Sequence, residues 1–230
     1  MIPKVLIGAP VSDAYEYCLN DFLKGLRSVN YLNYNLLLVD NSKTEDFYNK
    51  LKSLNINVVR IPYKESARDR MVDSRNVLRQ HVLDKNYDYL FSLDADIVLN
   101  EDTLKNLLLH KKDIISAVYF RELTNKEGQT KIFPLILESD PDNPDIIRPV
   151  KDLSTRRLVK IAMCGLGCVL VSRKVLESIN FRYLKGFDDE AFCIDAKEKG
   201  FNIYADTGLI CKHLFLRRPW QWKDYEITKA

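Results

Sequence analysis

The 230-residue sequence has little of what marks disulfide-stabilised, membrane-spanning or nucleic-acid-binding proteins. Its five cysteines are an odd number, lie far apart and form no C-x-x-C pair. No run approaches the roughly 18 apolar residues of a membrane-spanning helix. The 35 Lys and Arg residues are interspersed with 32 Asp and Glu residues rather than gathered into a basic stripe. We therefore expect a reduced, cytoplasmic protein without a nucleic-acid partner.

The cysteine pair Cys164 and Cys168 is the one spacing that could suggest a zinc site. The residues between the two include Gly165, Leu166 and Gly167, an apolar and glycine-rich run. Small buried thiols are the more common outcome for cysteines in such a run. We expect no zinc here.

The first half of the chain alternates short apolar runs with amphipathic segments. The runs at residues 4–9, 35–39, 57–61 and 89–93 predict strands of a sheet that is buried on both faces. A helical stripe lies between the first two strands, and residues 66–83 predict a further helix. This order predicts an α/β fold with an open, mostly parallel, Rossmann-like sheet flanked by helices.

The second half begins regularly and is then interrupted. A helix at 102–111 and a strand at 114–119 precede turn clusters over residues 121–160, which predict a β-ribbon or flap inserted at the sheet edge. Later elements are predicted at 168–171, 173–179, 189–199 and 202–205. The length favours a single domain. We divide it into a donor-side half at 1–120, an acceptor-side half at 121–213 and a tail at 214–230.

Candidate ligand-binding residues follow the predicted parallel strands, because ligands bind beyond the carboxyl ends of such strands. The first strand leads to Ala9 and Pro10, the second to Asp40, and the fourth to Asp94 and Asp96. The last two carboxylates are two residues apart on extended chain and can leave the same face. Together with phosphate oxygens they suit Mg²⁺ or Mn²⁺. The alternative is a polar turn that only ends the strand.

Seven segments then occur in an order that resembles a known family. They are Val39-Asp40-Asn41-Ser42, Ser74-Arg75-Asn76, Ser92-Leu93-Asp94-Ala95-Asp96, Ala117-Val118-Tyr119-Phe120-Arg121, Gly165-Leu166-Gly167-Cys168-Val169-Leu170-Val171, Phe187-Asp188-Asp189-Glu190-Ala191-Phe192-Cys193 and the stretch from Tyr204 to His213. Along nearly the whole chain this order resembles the family 2 glycosyltransferases, or close relatives with the same GT-A fold. The Asp-Ala-Asp segment resembles their DXD motif.

The resemblance implies a metal-dependent enzyme that uses a nucleotide-diphosphate sugar as donor. In that case Asp40 binds the base, Arg75 lies near the base or diphosphate, and Asp94 contacts the ribose or the metal. Asp96 and His213 are then metal ligands, with phosphate as a second role for His213. The glycine turn at Gly167, Ala9 and Pro10 complete the predicted donor site. Three of these residues also have a plain structural alternative: Asp40 as a turn aspartate, Arg75 as a surface arginine and His213 as a half-buried histidine.

The acidic triplet at the start of the 189–199 helix is the natural source of a general base. By the resemblance Asp189 is the base and Asp188 its neighbour and a candidate acceptor contact, with transfer that inverts the anomeric centre. The sequence departs from the commoner family pattern at Ala191 and Asp195. The alternative is that these carboxylates only stabilise the helix N-terminus.

These motifs do not identify the acceptor: a glycan, a lipid-linked sugar or a small molecule would each fit. The basic and aromatic tail from Leu214 to Lys223 is interpreted as a lid over the donor, as a patch for membrane or acceptor, or as a segment packed on the domain.

Two other functions stay open, a sugar-nucleotide nucleotidyltransferase and a non-catalytic nucleotide-sugar-binding protein. The first would normally carry an early glycine-rich phosphate loop, which the sequence lacks.

Overall fold

A computed structural model describes residues 2–124, 130–144 and 146–218 of the chain. The helices are α1 Leu19–Arg27, α2 Asp46–Ser53, α3 Ala67–Asp84, α4 Thr103–Leu109, α5 Arg173–Ser178 and α6 Asp188–Glu198. The strands are β1 Val5–Val11, β2 Tyr34–Asp40, β3 Val58–Arg60, β4 Tyr89–Leu93, β5 Ile97–Val98, β6 Ile114–Val118, β7 Phe120–Thr124, β8 Thr130–Pro134, β9 Ile136–Ser139, β10 Ile147–Pro149, β11 Leu158–Ile161, β12 Met163–Cys164, β13 Cys168–Ser172, β14 Ile203–Ile210 and β15 Lys212–His213.

The central sheet has eight strands in the order β11-β14-β6-β13-β4-β1-β2-β3. The pairs of β1 with β2 and β4, of β2 with β3, and of β6 with β14 are parallel. Strand β13 runs antiparallel to both of its neighbours, and β11 runs antiparallel to β14. The predicted α/β fold with a mostly parallel sheet and flanking helices is confirmed.

Helices cover both faces of this sheet, and each face has its own apolar core. Strand β1 shows the alternation, because Val5, Ile7 and Ala9 belong to one core while Leu6 belongs to the other. Helices α1 and α4 contribute to the first core, whereas α3, α5 and α6 contribute to the second. All five cysteines are buried free thiols.

Helix α3 lies close on the sheet because Gly8 leaves room for it. A Cβ on Gly8 would lie 2.7 Å from Leu78 Cδ2, so any side chain there would push the helix away. Helix α3 starts where the Ser66 side chain accepts a hydrogen bond from the Asp69 backbone N–H. Its position carries Arg75, one turn before Leu78, to the carboxyl ends of the strands.

Several boundaries differ from those predicted. Strand β1 continues past Pro10 to Val11, because β4 pairs with β1 only as far as Gly8, and the proline therefore has a ladder on one side. Helix α6 begins one residue early, at Asp188. Strand β14 extends to Ile210 through a change of register after Asp206.

The predicted insertion at 121–160 contains a β-ribbon formed by β7 and β8. Strands β10, β9 and β12 form a second, three-stranded sheet beside it. The two-residue strands β5 and β15 pair with each other and were not predicted. Among the described residues, no helix is both long and apolar enough to cross a membrane.

Candidate functional site

The predicted donor-side residues lie at the carboxyl edge of the central sheet. Asp40 ends β2, directly opposite Val11 at the end of β1. Ala9 and Pro10 are buried in the neighbouring positions of β1. Beyond β4, the Asp94 backbone N–H donates a 3.0 Å hydrogen bond to the Gly167 carbonyl, which ties this strand end to the start of β13.

Asp40 is completely buried and only half satisfied. Its Oδ1 accepts hydrogen bonds from the Ser42 hydroxyl at 2.5 Å and the Ser42 backbone N–H at 3.2 Å. Its Oδ2 has no hydrogen-bond partner, although Arg60 Nε lies 3.6 Å away. Burial raises the pKa of Asp40 above its ordinary value, and the Ser42 hydrogen bonds and the Arg60 charge offset this rise only in part. A buried acceptor of this kind can receive an N–H from a ligand.

Arg75 is 2% exposed and holds two carboxylates at once. Its Nη2 donates a 2.7 Å hydrogen bond to Asp94 Oδ1, and its Nε forms a 2.7 Å ion pair with Asp188 Oδ2. Its Nη1 donates a 2.5 Å hydrogen bond to the Ser92 hydroxyl. Burial lowers the pKa of Arg75, but Asp188 and Asp94 more than offset this and raise it. The arginine therefore links the end of β4 to the start of α6.

Gly167 is required by the position of Asp94. A Cβ on this glycine would lie 2.4 Å from Asp94 Oδ2 and 2.9 Å from Tyr119 Oη. The Gly167 backbone N–H also donates to Tyr119 Oη at 3.0 Å. A side chain at this position would therefore displace the Asp94 carboxylate from its place beside Arg75.

Asp96 is fully buried, and His213 is the side chain that faces it. The two are brought together because β15 pairs with β5, which starts directly after Asp96, with His213 opposite Ile97. His213 Nε2 lies 3.2 Å from Asp96 Oδ1, yet this oxygen has no hydrogen-bond partner. Burial would raise the pKa of Asp96, but His213 and Arg218 lower it to about 2.

The arrangement of Asp96 and His213 fits a hard divalent cation. His213 Nδ1 lies 2.6 Å from the Phe120 carbonyl oxygen, which can only accept, so the ring proton belongs on Nδ1. In its neutral form the imidazole then presents its Nε2 lone pair beside the unpartnered Asp96 oxygen. Metal-bound histidines are usually fixed by such a carbonyl on the other ring nitrogen.

Asp94 does not join this pair. Its carboxylate is held by Arg75, and among the described residues no three His, Cys, Asp or Glu side chains form a metal-binding cluster. A metal held by Asp96 and His213 would have two protein ligands, and phosphate oxygens or water would supply the rest, as is usual for Mg²⁺. Of the two roles predicted for Asp94, this placement favours a contact with the ribose over a contact with the metal.

Of the adjacent carboxylates Asp188 and Asp189 at the start of α6, Asp189 is the one that forms no ion pair among the described contacts. It is half-buried, and its Oδ1 accepts a 2.9 Å hydrogen bond from the Glu190 backbone N–H. Burial raises its pKa to about 6, and the neighbouring charge of Asp188 adds to the rise. Asp188 is 4% exposed and bound to Arg75, so of the two it is Asp189 that can exchange a proton near neutral pH.

Three side chains at the site were not predicted from the sequence. Tyr17 Oη lies 3.2 Å from Asp96 Oδ2, Tyr119 lies under the glycine turn, and Arg218 contacts both Asp96 and His213. Tyr119 was within a segment that carried the family resemblance, but nothing in that segment marked its hydroxyl. Arg218 lay in the tail for which several roles were open.

Comparison with known proteins identifies the class of fold. A profile of the Anp1 family matches residues 44–136, less than half of the chain, in a segment that contains Arg75, Asp94 and Asp96. A search of curated protein sequences finds no significant match.

Among solved structures, S. aureus TarS 1-349 in complex with UDP-GlcNAc is similar, with a TM-score of 0.59 and 14% sequence identity over 91% of this chain and 58% of that one. The mannosyltransferase PcManGT from Pyrobaculum calidifontis, in complex with GDP-Man and Mn²⁺, is similar with a TM-score of 0.62 and 13% identity over 93% of this chain and 57% of that one. The chain thus spans less than two thirds of either structure. It has the GT-A glycosyltransferase fold, and the predicted resemblance is confirmed at that level.

Proposed function

We propose that the protein is a glycosyltransferase that moves a sugar from a nucleotide-diphosphate sugar to an acceptor hydroxyl, with Mn²⁺ or Mg²⁺ and with inversion at the anomeric carbon. The observation that carries the proposal is the buried pair of Asp96 and His213 at the carboxyl edge of the sheet, in which His213 Nε2 lies 3.2 Å from an Asp96 Oδ1 that has no hydrogen-bond partner. The ligands bound in the similar structures, UDP-GlcNAc and GDP-Man with Mn²⁺, make nucleotide sugars the first donors to test.

The donor's nucleoside is assigned to the edge formed by β1 and β2. The unpartnered Oδ2 of Asp40 would accept an N–H from the base, and the nearby charge of Arg60 favours the ionised form of this carboxylate. Asp94 would accept a ribose hydroxyl while Arg75 fixes its orientation. Arg75 is a positioning residue in this account, because its guanidinium is occupied by two carboxylates.

Asp96 and His213 would hold the metal ion, which, when bound, neutralises the negative charge that builds on the leaving diphosphate. His213 is oriented for this by its bond to the Phe120 carbonyl. Asp96 contributes an ionised carboxylate, since its pKa of about 2 lies far below neutrality.

Asp189 would act as the general base. As the acceptor oxygen forms its bond to the anomeric carbon, the hydroxyl proton passes to the Asp189 carboxylate and the bond from that carbon to the diphosphate breaks. The nucleoside diphosphate then leaves with the bonding electron pair. A pKa of about 6 keeps the carboxylate ionised at neutral pH and basic enough to accept a proton in the transition state.

The experiment is a panel of nucleotide sugars, beginning with UDP-GlcNAc and GDP-Man, in which release of nucleoside diphosphate is measured with and without Mn²⁺. We expect release from at least one donor that depends on the metal and is lost in Asp96→Asn. A nucleotidyltransferase would instead release pyrophosphate from a nucleoside triphosphate and a sugar phosphate. A non-catalytic binding protein would bind a donor and leave it intact, and either result would contradict the proposal.

A further inference from the structure

Arg218 contacts both Asp96 and His213, the two side chains that would hold the metal ion. Its Nε and Nη2 donate to Asp96 Oδ2 at 2.9 and 2.5 Å, and its Nη2 lies 3.1 Å from His213 Nε2. The guanidinium thus contacts the same two side chains whose ligand atoms face each other. A guanidinium only donates, so the Nη2 contact uses the lone pair of His213 Nε2 that a metal would need.

The chain around Arg218 holds it in this place. The Leu214 backbone N–H donates to the Asp96 carbonyl at 2.9 Å, and Arg217 pairs with Asp21 of α1 at 2.6 Å. The Arg218 side chain is 15% exposed, and the Asp96 carboxylate beneath it is fully buried. A buried carboxylate needs a positive partner, and Arg218 provides one from within the chain.

We propose that Arg218 and a divalent cation are alternative partners of Asp96 and His213, so that metal binding must displace the guanidinium. This inference rests on the metal site of the proposed function and adds a competitor to it. Both cations need the Nε2 lone pair of His213 and the negative charge of the one Asp96 carboxylate, and two positive charges at this distance repel each other. The segment Leu214–Arg218 therefore lowers the affinity of the site for free metal and changes its contacts when metal binds.

The test is Mn²⁺ binding by the full chain without any nucleotide, measured as loss of the electron paramagnetic resonance signal of free Mn²⁺. We expect Arg218→Ala to bind Mn²⁺ about tenfold or more tightly than the natural protein, the ratio that matches one lost charged hydrogen bond. Arg218→Gln should also bind more tightly, and it keeps a neutral donor over Asp96 if the alanine variant does not fold.

The matched control is Lys212→Ala, which removes a neighbouring positive charge. Lys212 is exposed and lies next to His213 on a strand, where adjacent side chains leave opposite faces, so its removal should leave Mn²⁺ affinity unchanged. Equal tightening in the control would mean that net charge, not displacement, sets the affinity, and would overturn the inference.

The remaining outcomes separate this inference from the proposed function. If the Arg218 variants bind Mn²⁺ with the affinity of the natural protein, or more weakly, the competition is refuted while the metal site stands. If neither they nor the natural protein bind Mn²⁺ without nucleotide, the competition is refuted, while the proposed function, in which donor phosphate also holds the metal, is tested separately with the nucleotide sugar. The Asp96→Asn change made in the Arg218→Ala background should abolish the gained affinity, and binding that survives it would place the metal elsewhere and overturn the inference.

Discussion

Replacing Asp189 by Asn distinguishes a general base from a carboxylate that only supports a helix end. Asparagine has nearly the same shape, and its carbonyl can still accept the 2.9 Å hydrogen bond from the Glu190 backbone N–H. Asparagine also serves a helix N-terminus nearly as well as aspartate. The change therefore removes the proton acceptor and leaves the local fold in place.

The expected loss is in kcat and not in donor affinity. A positioned general base contributes about 10²–10⁴ to kcat, so Asp189→Asn should lower kcat by that factor and leave the donor Kd nearly unchanged. In the natural protein kcat should fall as the pH falls below about 6, because the protonated carboxyl cannot accept the acceptor's proton. The mutant should lack this acid limb.

The stability of the natural protein should depend on pH in the direction opposite to kcat. A carboxyl whose folded pKa is raised to about 6 binds more protons in the folded than in the unfolded chain between about pH 4 and 6, so the natural protein loses stability as the pH rises through this window. Asp189→Asn removes that loss. Its Tm relative to the natural protein should therefore be higher at pH 8 than at pH 4.

The assay is kcat, donor Kd and Tm against pH on one preparation of each variant. Glu190→Gln is the matched control, since it removes the adjacent carboxylate of the same helix end and should keep kcat. Turnover close to that of the natural protein in Asp189→Asn would refute the assignment and direct attention to Asp188. Loss of donor binding together with turnover would make Asp189 a binding residue.

Three further changes test the rest of the site. Gly167→Ala places a Cβ 2.4 Å from Asp94 Oδ2 and should lower the free energy of unfolding by about 1–3 kcal/mol and weaken donor binding; calorimetry that finds both unchanged would contradict the close packing. Asp40→Asn should weaken binding of the nucleotide portion alone, measured with the free nucleoside diphosphate, and unaltered affinity would remove Asp40 from the base site. Asp188→Asn removes the second cause of the raised pKa of Asp189, so the acid limb of kcat should move below about pH 6; a limb that stays in place or moves upward would contradict that electrostatic account.

Much of the sheet could be predicted because each parallel strand is a short apolar run. Strands β1 to β4 and helix α3 were placed within a few residues, and their ends directed attention to Asp40, Asp94 and Asp96. The direction of β13 could not be predicted, because a strand buried on both faces has the same apolar pattern in either orientation.

The contacts within the site could not be predicted from the sequence, and the physical reason differs from one contact to the next. Arg75 lies on the inner face of α3 with Arg70 and Ser74, so polar residues interrupt the apolar stripe that would have marked this face as buried. The approach of His213 to Asp96 depends on the two-residue pairing of β15 with β5, which is too short to give a periodic signal. The family resemblance named His213 without that contact, and the basic tail drew attention to the region of Arg218 but not to its contact with Asp96.

The metal-dependent donor site is the central claim, and titration calorimetry of a cognate nucleotide sugar into the natural protein and Asp96→Asn tests it most directly. The natural protein should bind the donor more tightly with Mn²⁺ than without it. Asp96→Asn, measured well below its own Tm because a buried ion pair is broken, should lose this metal-dependent gain. Donor affinity in Asp96→Asn that still rises with Mn²⁺ as in the natural protein would contradict the account.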